Sequence, residues 1–575
     1  MKRFFSMAAL LALVISFAFA GGGQQSGGSS GGSSGGFVST ATSNAERLKE
    51  KYPTPVTITT VLGYRESENP DTPKNITPET QPKIKLFKDL FNIDFKYGWI
   101  VNGDQYDQKF AAELAAGNLP DIMMLSPNQF EDLYSQGGLA DLTDMWAKYS
   151  TPDMERIYNA YNVGLGAATR EGKLYGLPNL TFNGQETSQT YYNMTELKAY
   201  GINSYADLPK TIAEFEALCD KILAANPGQP VLPACKQISG QGLADFQPIL
   251  DAYGASISGY VDYGTGNLEY AGTHPNLKKA LTKLNEWYRK GYFVRDFAGI
   301  DVWAANSPVV NDIVAGKYAI VFGSWWIPNW PLNMSKNLDP SVDWVVGPTL
   351  TENGGQPVIT INRYAVNNFI VVSRNCKNPE AIFKLLNYDI EDGKKLLDPD
   401  YLTMRTAEQK RIDDSNVYIW FPWRIYDPTS LEANYTFFHS LEERRITSQD
   451  RFPFSDIPNN NEASGTTQAF LNYHGGKAAD GAVWGLYTSR IAAQGGVAKM
   501  LELYNSAKRY YKEVYITTPS MVTKSGQLNE YRSAQLLRMI MGEVPISDFE
   551  RYVAQYNTLG GNDILKEVNN WYHSK

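Results

Sequence analysis

The sharpest hydrophobic pattern in the chain lies at residues 106–125, YDQKFAAELAAGNLPDIMML. Phe110 and Leu114 stand four apart on one face of an alanine-rich segment, Gly117-Asn118 supplies a left-handed stop, and Pro120 bars a restart, which predicts a helix ending at 116. The unbroken apolar run Ile122-Met123-Met124-Leu125 predicts a strand covered on both faces, as in a parallel sheet. A helix feeding a buried strand is the unit of an α/β fold. Ligands of open parallel sheets gather beyond the carboxyl ends of the strands, here at Ser126-Pro127-Asn128-Gln129.

The same reading gives a first strand over 55–62, followed by the polar group Tyr64-Arg65-Glu66, a turn and short strand over 172–178, and an extended segment over 187–193. Ile212, Phe215, Leu218 and Ile222 have helical spacing within 211–225, and a short helix over 309–315 is closed by Gly316. A buried strand over 318–322 runs into Gly323-Ser324-Trp325-Trp326; a strand over 367–373 and a helix over 379–387 follow. Beyond about 400 the chain reads as mainly helical and rich in aromatic residues, and no internal repeat is visible.

At 575 residues and 43% hydrophobic, the chain is too long for one domain, so two or more lobes are expected. Lys2-Arg3, the apolar run 4–20 and Ala18-Phe19-Ala20 have the order of a secretory signal peptide, with Gly21 as the new N-terminus; the alternative is an uncleaved N-terminal anchor. No other apolar run approaches the ~18 residues that span a bilayer, so a water-soluble exported protein is expected. Residues 21–36 are almost only Gly, Ser and Gln, a composition that behaves as a flexible tether. Within it, Gly31-Gly32-Ser33-Ser34-Gly35 matches the G-x-S-x-G hydrolase elbow formally but lacks the flanking strand and helix.

The formal charge of −8, or −10 once Lys2 and Arg3 leave with the leader, and the absence of a basic block argue against a nucleic-acid partner. The three cysteines suggest one Cys219–Cys235 disulfide and a free Cys376. Four histidines without an H-E-x-x-H pattern argue against transition-metal catalysis, and no Walker A or dinucleotide fingerprint is present, so no metal or cofactor is expected.

The segments KFAAELAAGNLPDI, GLADLTD (138–144), GKLYGLPN (172–179), YYNMTELKAYGI (191–202), DLPKTIAEFEAL (207–218), AGKYAIVFGSWW (315–326) and NPEAIFKLLNY (378–388) occur in the order seen in family 1 extracellular solute-binding proteins of carbohydrate ABC transporters, which the chain therefore resembles over most of 50–400. The ending TPSMVTKSGQLNEYRSAQLLRMIMGEVPISDFERYV (518–553) resembles the longer, LplA-like branch, which includes binding proteins for complex oligosaccharides and alginate. The resemblance implies a type II-like periplasmic-binding-protein fold: two α/β lobes joined by crossing hinge strands, with a long, mainly helical C-terminal part. The implied layout is a signal peptide at 1–20, a tether at 21–50, an N-terminal lobe of 51–182 plus 360–395, and a C-terminal lobe of 183–359 plus 396–575, with crossings near 180–188, 345–365 and 390–400.

The implied activity is capture of an oligosaccharide between closing lobes and its delivery to ABC permease subunits, by a monomer that performs no catalysis and meets the membrane through the permease or an anchor. The expected location is the periplasm or the outer face of a bacterial membrane. Lipoproteins carry their lipid on a cysteine at the cleavage junction, whereas here Gly21 follows Ala20, so a free protein of lipoprotein ancestry is expected. Some relatives of the long branch carry a calcium loop after the helix that here is 211–225; residues 224–231 hold no carboxylate, so no calcium site of that type is expected.

A sugar presents a C–H ring face and a hydroxyl rim, which call for aromatic platforms and planar hydrogen-bonding side chains. Trp325-Trp326 is the first candidate, because a family member that binds maltose has a sugar-stacking tryptophan aligned with Trp325; two packing tryptophans at a lobe edge are the competing reading. Asn128 and Gln129 align with a carboxylate and an arginine of that relative. Tyr64, Arg65 and Glu66 follow the first strand, and Asn179, Asn183 and Glu186 lie near the first crossing. Trp303, Arg363, Tyr364, Trp420, Trp423 and Trp484 complete the candidates, with a structural clamp as the competing reading of Trp420 and Trp423. Rival functions are an exported glycoside hydrolase, which needs two facing carboxylates, or the same fold carrying a peptide or a metal complex, toward which the pairs Tyr191-Tyr192 and Tyr510-Tyr511 would point.

Overall fold

The computed structural model describes residues 42–64, 76–160, 164–182, 184–240, 242–304, 306–363, 366–395, 423, 425–458, 460 and 462–574. The first strand, Val56–Tyr64, runs parallel to Ile93–Asn102, with a register shift between Thr60 and Val61. Thr59 donates from its backbone N and its hydroxyl to Asp121 Oδ2, at 2.8 and 2.7 Å, which fastens this strand beside Ile122–Leu125. Ile122, Met123 and Leu125 are all buried, as an unbroken apolar run requires. Their hydrogen-bonded neighbour is antiparallel, however: Val366–Val372 pairs with Ile122–Leu125 on one edge and with Leu177–Leu180 on the other, in both cases antiparallel. Burial on both faces leaves the same apolar signature whichever way the neighbour runs, so the run cannot report strand direction.

The chain leaves this sheet after Leu180 and enters a second one at Gln189–Asn193, the central strand between Ile320–Gly323 and Trp344–Val346, both antiparallel to it. All five residues of Gln189–Asn193 are buried. Successive strand residues point to opposite faces, so Tyr192 enters one core, with Phe215, Leu218 and Phe322, while Tyr191 enters another, with Ile313, Trp344 and Trp484. Buried on opposite sides of one strand, these two hydroxyls do not converge on a common ion. The return passage, Val358–Asn362, lies in a third sheet, parallel to Lys508–Lys512, which continues through Tyr260–Asp262 to Leu268–Tyr270.

The helices have recognisable chemical starts and stops. Thr211 and Glu214 exchange side-chain hydrogen bonds with each other's backbone N at the head of Ile212–Ala225, a capping box. Gly117, with φ of 74°, ends Tyr106–Ala116 in the left-handed conformation that a side chain resists. The C-terminal part is mainly helical, and its long helix Pro519–Met541 docks on Pro275–Lys290 through Asn285, whose Nδ2 donates to the carbonyls of Met539 and Ile540. Among the described residues of this part, the Lys508–Lys512 strand departs from the helical reading. Among the described residues, no helix is long and apolar enough to cross a membrane.

Cys219 and Cys235 are both buried and unbonded, contrary to the expected disulfide. Cys219 packs in the core of Tyr192 and Cys235 in that of Tyr191, so the sheet separates thiols that are near in sequence. Burial pushes the thiols of Cys235 and Cys376 up to about 12 and that of Cys219 well above its ordinary range. Thiol titration without reductant should therefore find three reactive thiols per chain after denaturation and few before it; a single thiol after denaturation would contradict this arrangement.

Candidate ligand-binding cavity

A cavity of about 440 Å³ opens where the crossing passages meet. Gln185, Glu186 and Ser188 come from the first crossing, Thr360 from the return strand, Lys512 from its parallel partner, and Trp326 from the segment after Ile320–Gly323. Glu186 ties three of these passages: its carboxylate accepts from Asn362 N at 3.0 Å and lies 3.4 Å from Lys512 Nζ. Beside it, Arg363 grips Glu513 with two 2.5 Å hydrogen bonds, and its guanidinium lies 4.1 Å from the centre of the Tyr511 ring. Arg363 is thus a brace between two strands, outside the cavity lining.

Trp326 is half-buried and belongs to a set of three indoles. Its ring centre is 5.8 Å from that of Trp303 and 6.3 Å from that of Trp330, while Trp303 and Trp330 stack at 5.5 Å with planes 15° apart. A turn is laid against this set. Gly242, with φ of 74°, approaches so closely that a Cβ there would lie 2.7 Å from Ser324 Oγ and 3.0 Å from the Trp326 ring. Ser324 N donates to Gly242 O, and Ala244 N to Phe322 O, so the turn follows the strand end. The Asp245 carboxylate, buried under the turn, accepts from Gly242 N and Gln247 N and fixes its shape.

Trp325 points the other way. It is 5% exposed, packs edge-on against Phe182 and among Val497 and Met500, and lies under the Arg490 guanidinium at 5.1 Å. Gly496 abuts its backbone, where an added Cβ would meet Trp325 O at 1.9 Å. Of the tryptophan pair, the structure gives Trp326 to the cavity and Trp325 to the core.

A family model described as bacterial extracellular solute-binding protein matches residues 73–393, more than half of the chain. The chain belongs to this family. The maltodextrin-binding protein MdxE of Bacillus subtilis (strain 168) is 24% identical over 325 residues, 55% of this chain and 68% of that protein. Among solved structures, the alginate-binding protein AlgQ2 without calcium ion superposes with a TM-score of 0.60 at 13% identity, covering 91% of this chain and 99% of that one. The S. pneumoniae ABC-transporter substrate-binding protein FusA in complex with kestose gives 0.59 at 15% identity, covering 90% and 99%. These likenesses give this solute-binding protein a two-lobe periplasmic-binding-protein fold.

Of the candidates read from the sequence, Glu186 and Trp326 meet in the cavity, and Trp303 joins them by stacking. Asn128 is exposed, 3.3 Å from the Thr517 hydroxyl, and the Gln129 side-chain oxygen accepts from Ser126 N, closing a helix cap; both lie outside the cavity lining. Tyr64 ends the first strand opposite Asn102, and Asn179 lies in the Leu177–Leu180 strand of another sheet, its Nδ2 3.7 Å from Met124 Sδ. Trp423, 1% exposed, packs edge-on against Phe95, and Trp484 is buried in the helix Gly481–Arg490. Arg65, Glu66, Asn183, Tyr364 and Trp420 lie outside the described residues. The sequence reading missed Trp330, Asp245, Gly242, Lys512 and Arg532; the WWIPNW spacing that carries Trp330 was the one available signal.

Next to the cavity, Asp251 is 5% exposed; one carboxyl oxygen accepts from Gln247 Nε2 at 2.8 Å, and the other, Oδ2, has no partner among the described residues. Burial is the main cause that raises its pKa to about 8, against 3.8 ordinarily, so the carboxyl is mostly neutral at pH 7. Because the folded pKa lies above the unfolded one, the folded state holds the proton more tightly. Its contribution is complete below about pH 4 and is lost as pH rises toward 8. Asp251→Asn should remove this slope, raising the melting temperature relative to wild type more at pH 8 than at pH 5; equal shifts at both pH values would rule the carboxyl out as the source. Trp325→Ala should lower stability by about 3–5 kcal/mol in denaturant unfolding, against a smaller loss for Trp326→Ala, and the reverse order would contradict their assigned places.

Proposed function

We propose that the chain is the extracytoplasmic receptor of an ABC importer and captures an oligosaccharide in this cavity. The observation that carries the reading is an indole platform, Trp326 backed by Trp303 and Trp330, standing beside a polar wall. A sugar stacks its C–H face on an aromatic ring and offers its rim to hydroxyl, amide and carboxylate groups. The wall supplies Ser188, Gln185, Gln247 and Thr360 for that rim. Ser188 Oγ and Thr360 Oγ1 are buried without a hydrogen-bond partner among the described residues, a costly state that a hydroxylated ligand would relieve. Three similar proteins support a carbohydrate cargo: one is named for maltodextrin, one for alginate, and one was solved with kestose.

The two lobes, 51–182 with 360–395 and 183–359 with 396–575, close around the ligand by bending at the crossings. A ligand touching both lobes only when they are shut shifts the equilibrium toward the closed form, which the permease then reads. The receptor is exported by its leader, acts as a monomer and returns its ligand unchanged. Glu186 and Asp245, the carboxylates of the wall named above, both accept hydrogen bonds from backbone N–H groups, a holding role that suits binding better than turnover.

The test is a panel of plant, algal and microbial oligosaccharides, with peptides as controls, read by melting temperature and tryptophan fluorescence. At 100 times the dissociation constant the ligand should add about 2.7 kcal/mol of stability. One glycan class should respond and be recovered uncleaved, and Trp326→Ala should weaken it about tenfold or more, as loss of a stacking platform predicts. Cleavage of the glycan, or a response to a peptide or ferric complex alone, would overturn the proposal.

A further inference from the structure

Arg532, on the helix Pro519–Met541, reaches the cavity wall from the far side. Its Nη1 donates to the Tyr270 hydroxyl at 2.7 Å and to Asn529 Oδ1 at 3.0 Å, and its Nε is buried with no partner among the described residues. Both of its acceptors are neutral, and no carboxylate among the described residues pairs with it. The neighbouring charges differ: Lys512 faces Glu186, Glu186 also takes the Asn362 N–H, and Asp245 takes two backbone N–H groups. A partly buried guanidinium facing neutral groups alone is unfavourable unless an anion joins it.

Arg532 and Ser258 also line a second chamber of about 180 Å³, whose walls include Tyr260, Tyr270 and Tyr556. Tyr270 and Tyr556 stack there at 4.8 Å with planes 7° apart, a flat aromatic wall beside the cation. Two chambers that share a cationic wall residue are the arrangement that would receive consecutive units of a chain-like ligand bearing negative charge.

We infer that the ligand path continues past Arg532 into the tyrosine-lined chamber, and that Arg532 takes an acidic group of the glycan, a carboxylate or a sulfate. This rests on the oligosaccharide reading above. A guanidinium presents its donors as a planar fork matched to a two-oxygen anion, so the site discriminates charged from neutral units and Lys would replace Arg poorly.

The test is calorimetric titration of the full chain with an oligogalacturonate tetramer, its methyl ester and a sulfated tetrasaccharide, at low and high salt. The uronate should bind about tenfold or more tightly than its ester, with affinity falling as salt rises; Arg532→Gln should erase that difference and Arg532→Lys restore it in part. Preference for the sulfated glycan would assign the same site to sulfate. Equal affinity for ester and acid, with no change in Arg532→Gln, would overturn the inference while leaving the carbohydrate receptor intact. Binding of none of the three would overturn the inference, and silence across the wider glycan panel would overturn the carbohydrate reading with it. If Arg532→Gln fails to fold, the acid-against-ester comparison and the salt dependence of the wild-type chain decide the matter alone.

Discussion

The parallel pairing of Val358–Asn362 with Lys508–Lys512, clasped at one end by charged groups, is the constraint on which the rest of the structure depends. It joins stretches about 150 positions apart in sequence at the place where the chain passes between sheets. Glu186 closes the clasp from the first crossing, and the Arg363–Glu513 fork locks it from outside. Glu513 is buried while the Arg363 side chain is 40% exposed, so the strength of the pair lies in its geometry, two charge-assisted hydrogen bonds that satisfy both carboxylate oxygens. With the clasp made, Thr360, Lys512 and Glu186 are brought to one wall. The cavity is a by-product of how the passages are tied.

What could be read in the sequence follows from what each signal encodes. The capped helix Ile212–Ala225 and the Gly117 stop are local events, settled by residues within one turn, and both stood out. The Ile122–Leu125 run announced burial, yet its antiparallel partner arrives about 240 positions later, beyond the reach of any local pattern. The position after a buried strand drew attention to Trp325-Trp326. Which of the two faces the cavity depends on Gly496 and Phe182 packing behind one and Gly242 lying against the other, and no spacing rule carries that.

Aromatic abundance was a poor guide for a related reason. Trp423 and Trp484 have the same chemistry as Trp326, but they fill cores, where an indole contributes area and shape. Lys512 and Arg532 escaped notice because a charged residue on a strand or helix ordinarily faces solvent. They matter here because Gly259, with φ of 101°, lets the Lys512 stem pass close, and because Tyr270 holds the Arg532 guanidinium. Such residues become visible only once long-range contacts set the neighbourhood.

The two tyrosines of Gln189–Asn193 look interchangeable in the sequence, yet they lie in different cores, and only Tyr191 donates its hydroxyl to Ser324 O, at 2.8 Å. Sliding this strand by one residue would invert both faces at once. It would also break the bond that holds the segment just before Trp326. The central strand therefore works as a key with one orientation: misregistration during folding costs two cores and misplaces the indole platform together, so a molecule with an intact second sheet has its platform already aligned.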